Sequence, residues 1–119
     1  MTDNPNLSQF LDRLEKLSDE TRTEAKNKRH KLGLRTAREN LDHLVDDQSF
    51  LEYGAFAVAA QRNRRKYKDL QIDTAADGII TGFCKINSDL IGKEKSDAVS
   101  IVYDYSVLAG TQGFFHHMK

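Results

Sequence analysis

The chain has 119 residues, of which 39% are apolar and 30% charged, with a mean hydropathy of −0.63. Eighteen basic and eighteen acidic side chains cancel, which excludes a global field steering the chain toward nucleic acid or an anionic membrane. No apolar run approaches bilayer-spanning length, no signal-peptide pattern is present, and a single cysteine excludes an internal disulfide, so one cytoplasmic domain with a modest core is expected.

In chain order, Leu7, Phe10, Leu11, Leu14 and Leu17 fall on one helical face, with Asp12, Arg13, Glu15 and Lys16 opposite. From Asp19 to Lys31 alternating charge predicts a solvated helical arm, supported by pairs such as Glu24 with Lys28. Gly33 ends the arm, giving an expected division into residues 1–32 and 33–119. Thr36-Ala37-Arg38-Glu39 has the pattern of a capping box, in which the Thr36 hydroxyl and the Glu39 carboxylate satisfy each other's amides. Ala37, Leu41, Leu44 and Val45 supply the apolar face of the short helix that follows, and Asp46-Asp47-Gln48-Ser49 stops it.

"SFLEYGAFAVAA" is an apolar, aromatic-rich segment in which Gly54 marks a bend or bulge. The charge cluster of Arg62, Arg64, Arg65, Lys66 and Lys68 comes next, then a turn at Asp77-Gly78. Ile79, Ile80, Phe83 and Ile86 form a β-rich run. After a polar joint, "AVSIVYDYSV" alternates strictly, with Val99, Ile101, Tyr103, Tyr105 and Val107 on one face. Two such strands read as an antiparallel hairpin whose two faces a single flank of helices cannot both cover. The chain ends "LAGTQGFFHHMK", a glycine-bearing loop entering a helix.

Three pieces in register, "LRTARENLDHLVDDQSFLEYGAFA", "ADGIITGF" and "YDYSVLAGTQG", resemble the start of the carboxyltransferase component of biotin-dependent acyl-CoA carboxylases. Beta subunits of propionyl-CoA and methylcrotonyl-CoA carboxylase are of this type. The resemblance covers about Lys31 to Gly113. It implies an α+β architecture, N-terminal helices followed by a β-hairpin and the start of a helix, as the leading part of a crotonase-type domain. It also implies transfer of a carboxyl group from carboxybiotin to the α carbon of an acyl-CoA. Backbone amide pairs stabilise the enolate in such enzymes, and those segments lie downstream of the part represented here. The implied partners are the remainder of the carboxyltransferase domain and the biotin carboxylase and biotin carrier components, in a homo-oligomer. The chain is therefore expected to be a leading portion that is inactive alone.

Ala109 stands where the family has a first glycine, and alanine restricts positive φ. Asn40 stands where an arginine is usual, the joint from Asn87 to Asp97 is longer than the family's tight turn, and no Cys-x-x-Cys zinc ribbon of one bacterial branch is present. The resemblance makes Leu108, Ala109, Gly110, Thr111 and Gly113 candidates for lining the CoA channel, against the plain reading of a tight strand–helix turn. Arg35, Arg38, Arg62 and Arg64 are candidate phosphate contacts. The plain alternatives are a solvated loop for Arg62 and Arg64 and helix pairing, Arg38 with Asp42 for example, for the other two.

With Tyr67 as its only aromatic, the 62–68 cluster offers little base stacking, so nucleic acid is not an expected partner. His116 and His117 are adjacent and point to different faces, and His30 and His43 lack partners at ligand spacing, so no metal site is expected. Tyr103, Asp104 and Tyr105 read as sheet positions, Cys84 as a buried hydrophobe, and no residue is assigned a catalytic role. The competing function is a non-catalytic interaction module that docks through the Leu7–Leu17 stripe and the hairpin.

Overall fold

The computed structural model describes residues 4–119. Helix α1 spans Pro5–Glu15, with proline pre-set for the first turn and Asn4 capping through its Oδ1, which accepts from the Asn6 amide over 3.0 Å. Helix α2, Thr23–Lys31, ends at Gly33, whose φ of +72° lets the chain reverse. Helix α3, Ala37–Leu44, starts at Thr36, whose Oγ1 accepts from the Glu39 amide over 3.0 Å.

Only half of the expected capping box forms. The Glu39 carboxylate turns instead to His30 Nε2 at 2.6 Å, and the Thr36 hydroxyl donates to Asp19 at 2.5 Å. Both partners lie in the arm, so the cap has become a tie between the arm and α3. Arg13 adds another link, donating to the Phe56 carbonyl over 2.8 Å and to the Tyr67 hydroxyl over 2.7 Å.

The sheet has three antiparallel strands in chain order: β1 Leu51–Tyr53, β2 Ile79–Lys85 and β3 Asp97–Tyr103. The expected hairpin is β2 with β3, running from Ile79 opposite Tyr103 to Lys85 opposite Asp97. The apolar 50s segment adds the third strand, pairing Leu51 with Phe83. The long joint folds into the short helix α5, Ser88–Ile91, and a 3-10 turn at Lys93–Lys95.

The inner sheet face packs on α3. Ala37 and Leu41 meet Ile80, with Val45, Phe50 and Val102 closing around them. At Gly82 an added Cβ would lie 2.5 Å from both the Leu51 carbonyl and the Phe50 ring. The outer face remains apolar and exposed, since Leu51, Phe83, Val99, Ile101 and Tyr103 are all more than half accessible. The buried side of β3 is thus the one carrying Ser100, and the side richest in apolar residues faces outward. On α1 the stripe of Leu7, Leu11 and Leu14 is exposed in the same way.

Two sequence expectations are corrected. The charge cluster does not stay a loop throughout, because Tyr67–Asp73 forms helix α4, anchored by fully buried Leu70 against Val58 and Ala59. Charge density hid a helix whose single apolar anchor is enough to dock it. The last strand also stops at Tyr103 rather than continuing through Val107. Asp104 accepts from the Ser106 amide over 2.9 Å, and this local turn takes the backbone out of the ladder. Val107 is then buried, packed so closely beside Gly78 that an added Cβ there would lie 3.1 Å from it.

After β3 a 3-10 turn, Leu108–Gly110, leads to helix α6, Phe114–Met118. No helix among the described residues is long and apolar enough to cross a membrane.

Candidate functional site

The arm, α4 and the turn after β3 enclose an open groove of about 970 Å³. Its geometry depends on one buried side chain. Arg22, at the start of α2, makes no cap for its own helix. Its Nη1 instead donates to Asp104 Oδ2 over 2.8 Å, its Nη2 to the Ser106 hydroxyl over 3.0 Å, and its Nε to the Ile72 carbonyl over 2.9 Å. One guanidinium thus holds together the three elements that wall the groove. Burial works against an ionised Asp104, but the Ser106 hydrogen bonds and the Arg22 charge outweigh it and hold the carboxyl below its usual range.

The floor is backbone in an unusual conformation. Leu108, Ala109 and Gly110 are consecutive left-handed residues, with φ of 47°, 55° and 76°. For the two L-residues this costs about 1–2 kcal/mol each. Ala109 therefore adopts the very conformation that an alanine was expected to disfavour. The Gly110 amide, donating to the Val107 carbonyl over 3.0 Å, and the Thr111 hydroxyl, donating to the Leu108 carbonyl over 2.7 Å, hold the turn.

Leu108 and Ala109 line the groove. Gly110 sits under Tyr105, where an added Cβ would lie 3.3 Å from the ring. Gly113 packs on the Asp77 carboxylate, with 2.5 Å available to a Cβ, and Asp77 Oδ2 accepts from the His116 amide over 2.9 Å to fix α6.

The four candidate arginines do not converge. Arg38 forks onto Glu52 with bonds of 2.6 and 3.1 Å, rather than pairing with Asp42. Arg62 stacks over the Tyr67 ring, 4.2 Å from its centroid. The Arg35 carbonyl accepts from Arg29 Nε over 3.1 Å, and the Arg64 amide donates to the Gln61 carbonyl over 2.9 Å. None of the four lines the groove.

Its cations come from elsewhere. Lys28, Arg29 and Lys31 project from α2, and Arg65 pairs with Asp73 on the opposite wall. The excess of lysine and arginine from Lys26 to Lys31 was the available signal, masked by the equally charged stretch before it. Tyr105, read as a sheet residue, is exposed beside the groove with the Arg29 guanidinium 5.8 Å from its ring. Among the described residues no three His, Cys, Asp or Glu side chains gather at metal-binding distance.

A solved structure described as a single-chain, multi-domain long-chain acyl-CoA carboxylase superposes on 98% of this chain with a TM-score of 0.92 and 48% identity. The chain has the fold of a segment of an acyl-CoA carboxyltransferase. Two structures of the transcarboxylase 12S core agree, at 26% and 27% identity and TM-scores of 0.68 and 0.67 over the whole chain. One is described as a hexamer assembly with methylmalonyl-coenzyme A and methylmalonic acid bound, the other with hydrolysed methylmalonyl-coenzyme A. No protein-family model and no curated protein matches the chain.

The chain spans 12% of the long-chain acyl-CoA carboxylase and 21–22% of the transcarboxylase chains. The matched segment is the leading part of the crotonase-type carboxyltransferase domain, made of arm, capped helix, three-stranded sheet and the turn into α6.

Proposed function

We propose that this chain contributes the CoA-facing wall of an acyl-CoA carboxyltransferase, which moves a carboxyl group from carboxybiotin to the α carbon of an acyl-CoA. The observation that carries this reading is the 48% identity, over 98% of the chain, to a long-chain acyl-CoA carboxylase. The left-handed turn at Leu108–Gly110 supports a ligand-facing role for Leu108 and Ala109, which line the groove, with Gly110 and Thr111 completing the turn behind them and Gly113 setting where α6 begins.

Of the arginines, Arg38 and Arg62 are committed to Glu52 and Tyr67. Among the described residues Arg35 and Arg64 have no carboxylate within ion-pair distance and stay available to phosphate. Residues 1–32 act as an arm that carries one wall of the groove.

Enolate formation needs paired N–H donors aimed at the thioester oxygen, worth several kcal/mol at about 3–4 per donor. No residue of this chain is assigned that task. Carboxybiotin supplies the carboxyl group when present, and no residue here is assigned to hold it. The partners follow from this division of labour: the rest of a carboxyltransferase domain, a biotin carboxylase, a biotin carrier and further copies of the same chain, in the cytoplasm. The exposed outer sheet face and the α1 stripe fit burial by such neighbours.

The test is turnover. The 119-residue chain should decarboxylate neither malonyl-CoA nor methylmalonyl-CoA, whereas a protein carrying this segment in a complete carboxyltransferase should carboxylate acyl-CoA in the presence of biotin components. Carboxylation absent from the complete protein across short and long acyl chains would overturn the reading.

A further inference from the structure

We propose that Lys119 is an acylation site, whose amine takes the acyl group of a thioester while the hydrocarbon chain of that thioester lies in the apolar cavity beside Gly54. The donor need only be an activated thioester, so the inference is independent of the carboxyltransferase reading.

Lys119 follows α6 and is half-buried, with its side chain turned onto the left-handed turn that precedes β2. Its Nζ donates to the Ala76 carbonyl over 2.5 Å and to the Ile79 carbonyl over 2.8 Å. The stem lies against Gly54, where an added Cβ would come within 3.0 Å of Cε and 3.2 Å of Cδ and Cγ. The niche therefore depends on a residue without a side chain at position 54.

This amine has carbonyls for partners and no counter-ion. Among the described residues no carboxylate lies within 4.0 Å of it. The two acids whose charges act on it are already committed, Glu52 to Arg38 and Asp77 to the His116 amide. A neutral amine has two hydrogens and one lone pair. The two carbonyls use both hydrogens and leave the lone pair free, whereas an ammonium would carry a third hydrogen with no acceptor among the described residues. Burial acts in the same direction, and together with the Arg38 charge it outweighs Glu52 and Asp77 and lowers the pKa to about 8. At pH 7.4 about a fifth of the amine is then neutral, against about one part in a thousand for an exposed lysine.

A cavity of about 480 Å³ lies between α1 and the residues around Gly54, lined by Phe10, Leu14, Ala55 and Phe56 together with Glu52 and Gly54 itself. Gly54 thus touches both the lysine stem and the cavity, and Glu52 lines the cavity while its charge acts on the amine. Such a lining suits a hydrocarbon chain. In the reaction the lone pair attacks the thioester carbonyl carbon, a C–N bond forms and the C–S bond breaks. Sulfur leaves as a thiolate and takes the proton released from nitrogen. The amide product keeps one N–H, so one of the two carbonyls loses its donor and the hold on the end of α6 weakens.

The test incubates the folded 119-residue chain at pH 7.4 with acetyl and octanoyl thioesters of N-acetylcysteamine and follows each lysine by peptide mass mapping. Lys119 should react at least about tenfold faster than exposed Lys28 and Lys93, the about 200-fold excess of neutral amine being offset in part by lower basicity and narrower access. The octanoyl-to-acetyl rate ratio should be at least about fivefold higher at Lys119 than at Lys28, as burial of about two methylene groups would supply. Phe10→Ala and Leu14→Ala should each remove most of that preference. Both side chains are exposed, and amide spectra of the variants report whether each is folded. The Lys119 rate should level off above about pH 8, while Lys28 and Lys93 keep gaining about tenfold per pH unit. In concentrated urea the three lysines should react alike.

Lys119 reacting no faster than Lys28 and Lys93, an octanoyl-to-acetyl ratio equal at Lys119 and Lys28, or a Lys119 preference that survives urea would each overturn the proposal.

Discussion

Arg22 Nη1 donates to Asp104 Oδ2 across 2.8 Å, joining residues 82 positions apart in the chain, with both side chains at 10% exposure or less. Breaking a buried pair by removing one partner leaves an uncompensated charge and costs about 3–5 kcal/mol. Arg22→Leu and Asp104→Asn should each lower unfolding free energy by about that amount in urea titrations. The Arg22→Leu/Asp104→Leu double variant should recover part of the loss, because neither charge then remains buried alone. Two single variants within about 0.5 kcal/mol of the parent would show that the latch does not hold the groove.

Asp104 also sets the acid limb of stability. Its carboxyl is held below the ordinary 3.8, so its contribution is fully present above that value and is lost as pH falls through the lower folded value. Unfolding free energy measured from pH 5 down to pH 2 should fall, and Asp104→Asn should flatten part of that fall. Equal slopes in parent and variant would count against the assignment.

The alkaline limb belongs to Lys119. Burial lowers its pKa from 10.5 to about 8, with Glu52 and Asp77 opposing the change and Arg38 adding to it. Its Nζ donates to the Ile79 carbonyl over 2.8 Å and to the Ala76 carbonyl over 2.5 Å, bonds a neutral amine also makes. The unfolded chain binds this proton more tightly, so stability should rise as pH goes from about 8 toward 10.5. Lys119→Met should remove that rise in denaturant titrations across the same interval.

Glycine positions separate packing from backbone strain. Gly82→Ala pushes a methyl group into the Leu51 carbonyl and the Phe50 ring, and should cost about 1–3 kcal/mol or more by overpacking. At Gly33 nothing lies within 4 Å of a new Cβ, so Gly33→Ala should cost only the left-handed backbone term, about 1–2 kcal/mol. Thermal melts of the two variants read the difference, and Gly82→Ala should also lose the Leu51–Phe83 pairing in amide exchange.

The outer sheet face predicts solution behaviour. Val99→Thr and Ile101→Thr replace exposed branched apolar groups on a strand that tolerates threonine. Stability should stay within about 0.5 kcal/mol, while binding of an apolar dye and concentration-dependent aggregation both decrease. A drop in stability of several kcal/mol would mean that the face is packed within the chain after all.

Local chemistry made much of this architecture legible in the chain itself. The Leu7–Leu17 spacing, Thr36 before Ala37, Gly33 after Lys31 and the alternation at Val99–Tyr103 each act over a few residues, so the helix starts, the helix stop and the strands could be read directly. So could the ordered motifs that resemble a carboxyltransferase. Which face of a strand turns inward could not be read that way. Val99, Ile101 and Tyr103 are the more apolar side, but α3 packs on the side of Ser100 and Val102, where Ala37 and Leu41 meet Ile80 and Gly82 leaves room for the Phe50 ring beside them.

The groove was equally hidden. Arg22 and Asp104 are unremarkable charges in sequence, and Lys28, Arg29 and Lys31 look like a solvated arm. Long-range pairing bends the arm back over Tyr105 and the left-handed turn, and no local preference of those residues encodes that meeting. Short-range hydrogen bonding and side-chain period determined the elements from sequence alone; only the tertiary fold, through burial and shape, decided which charges face a common space.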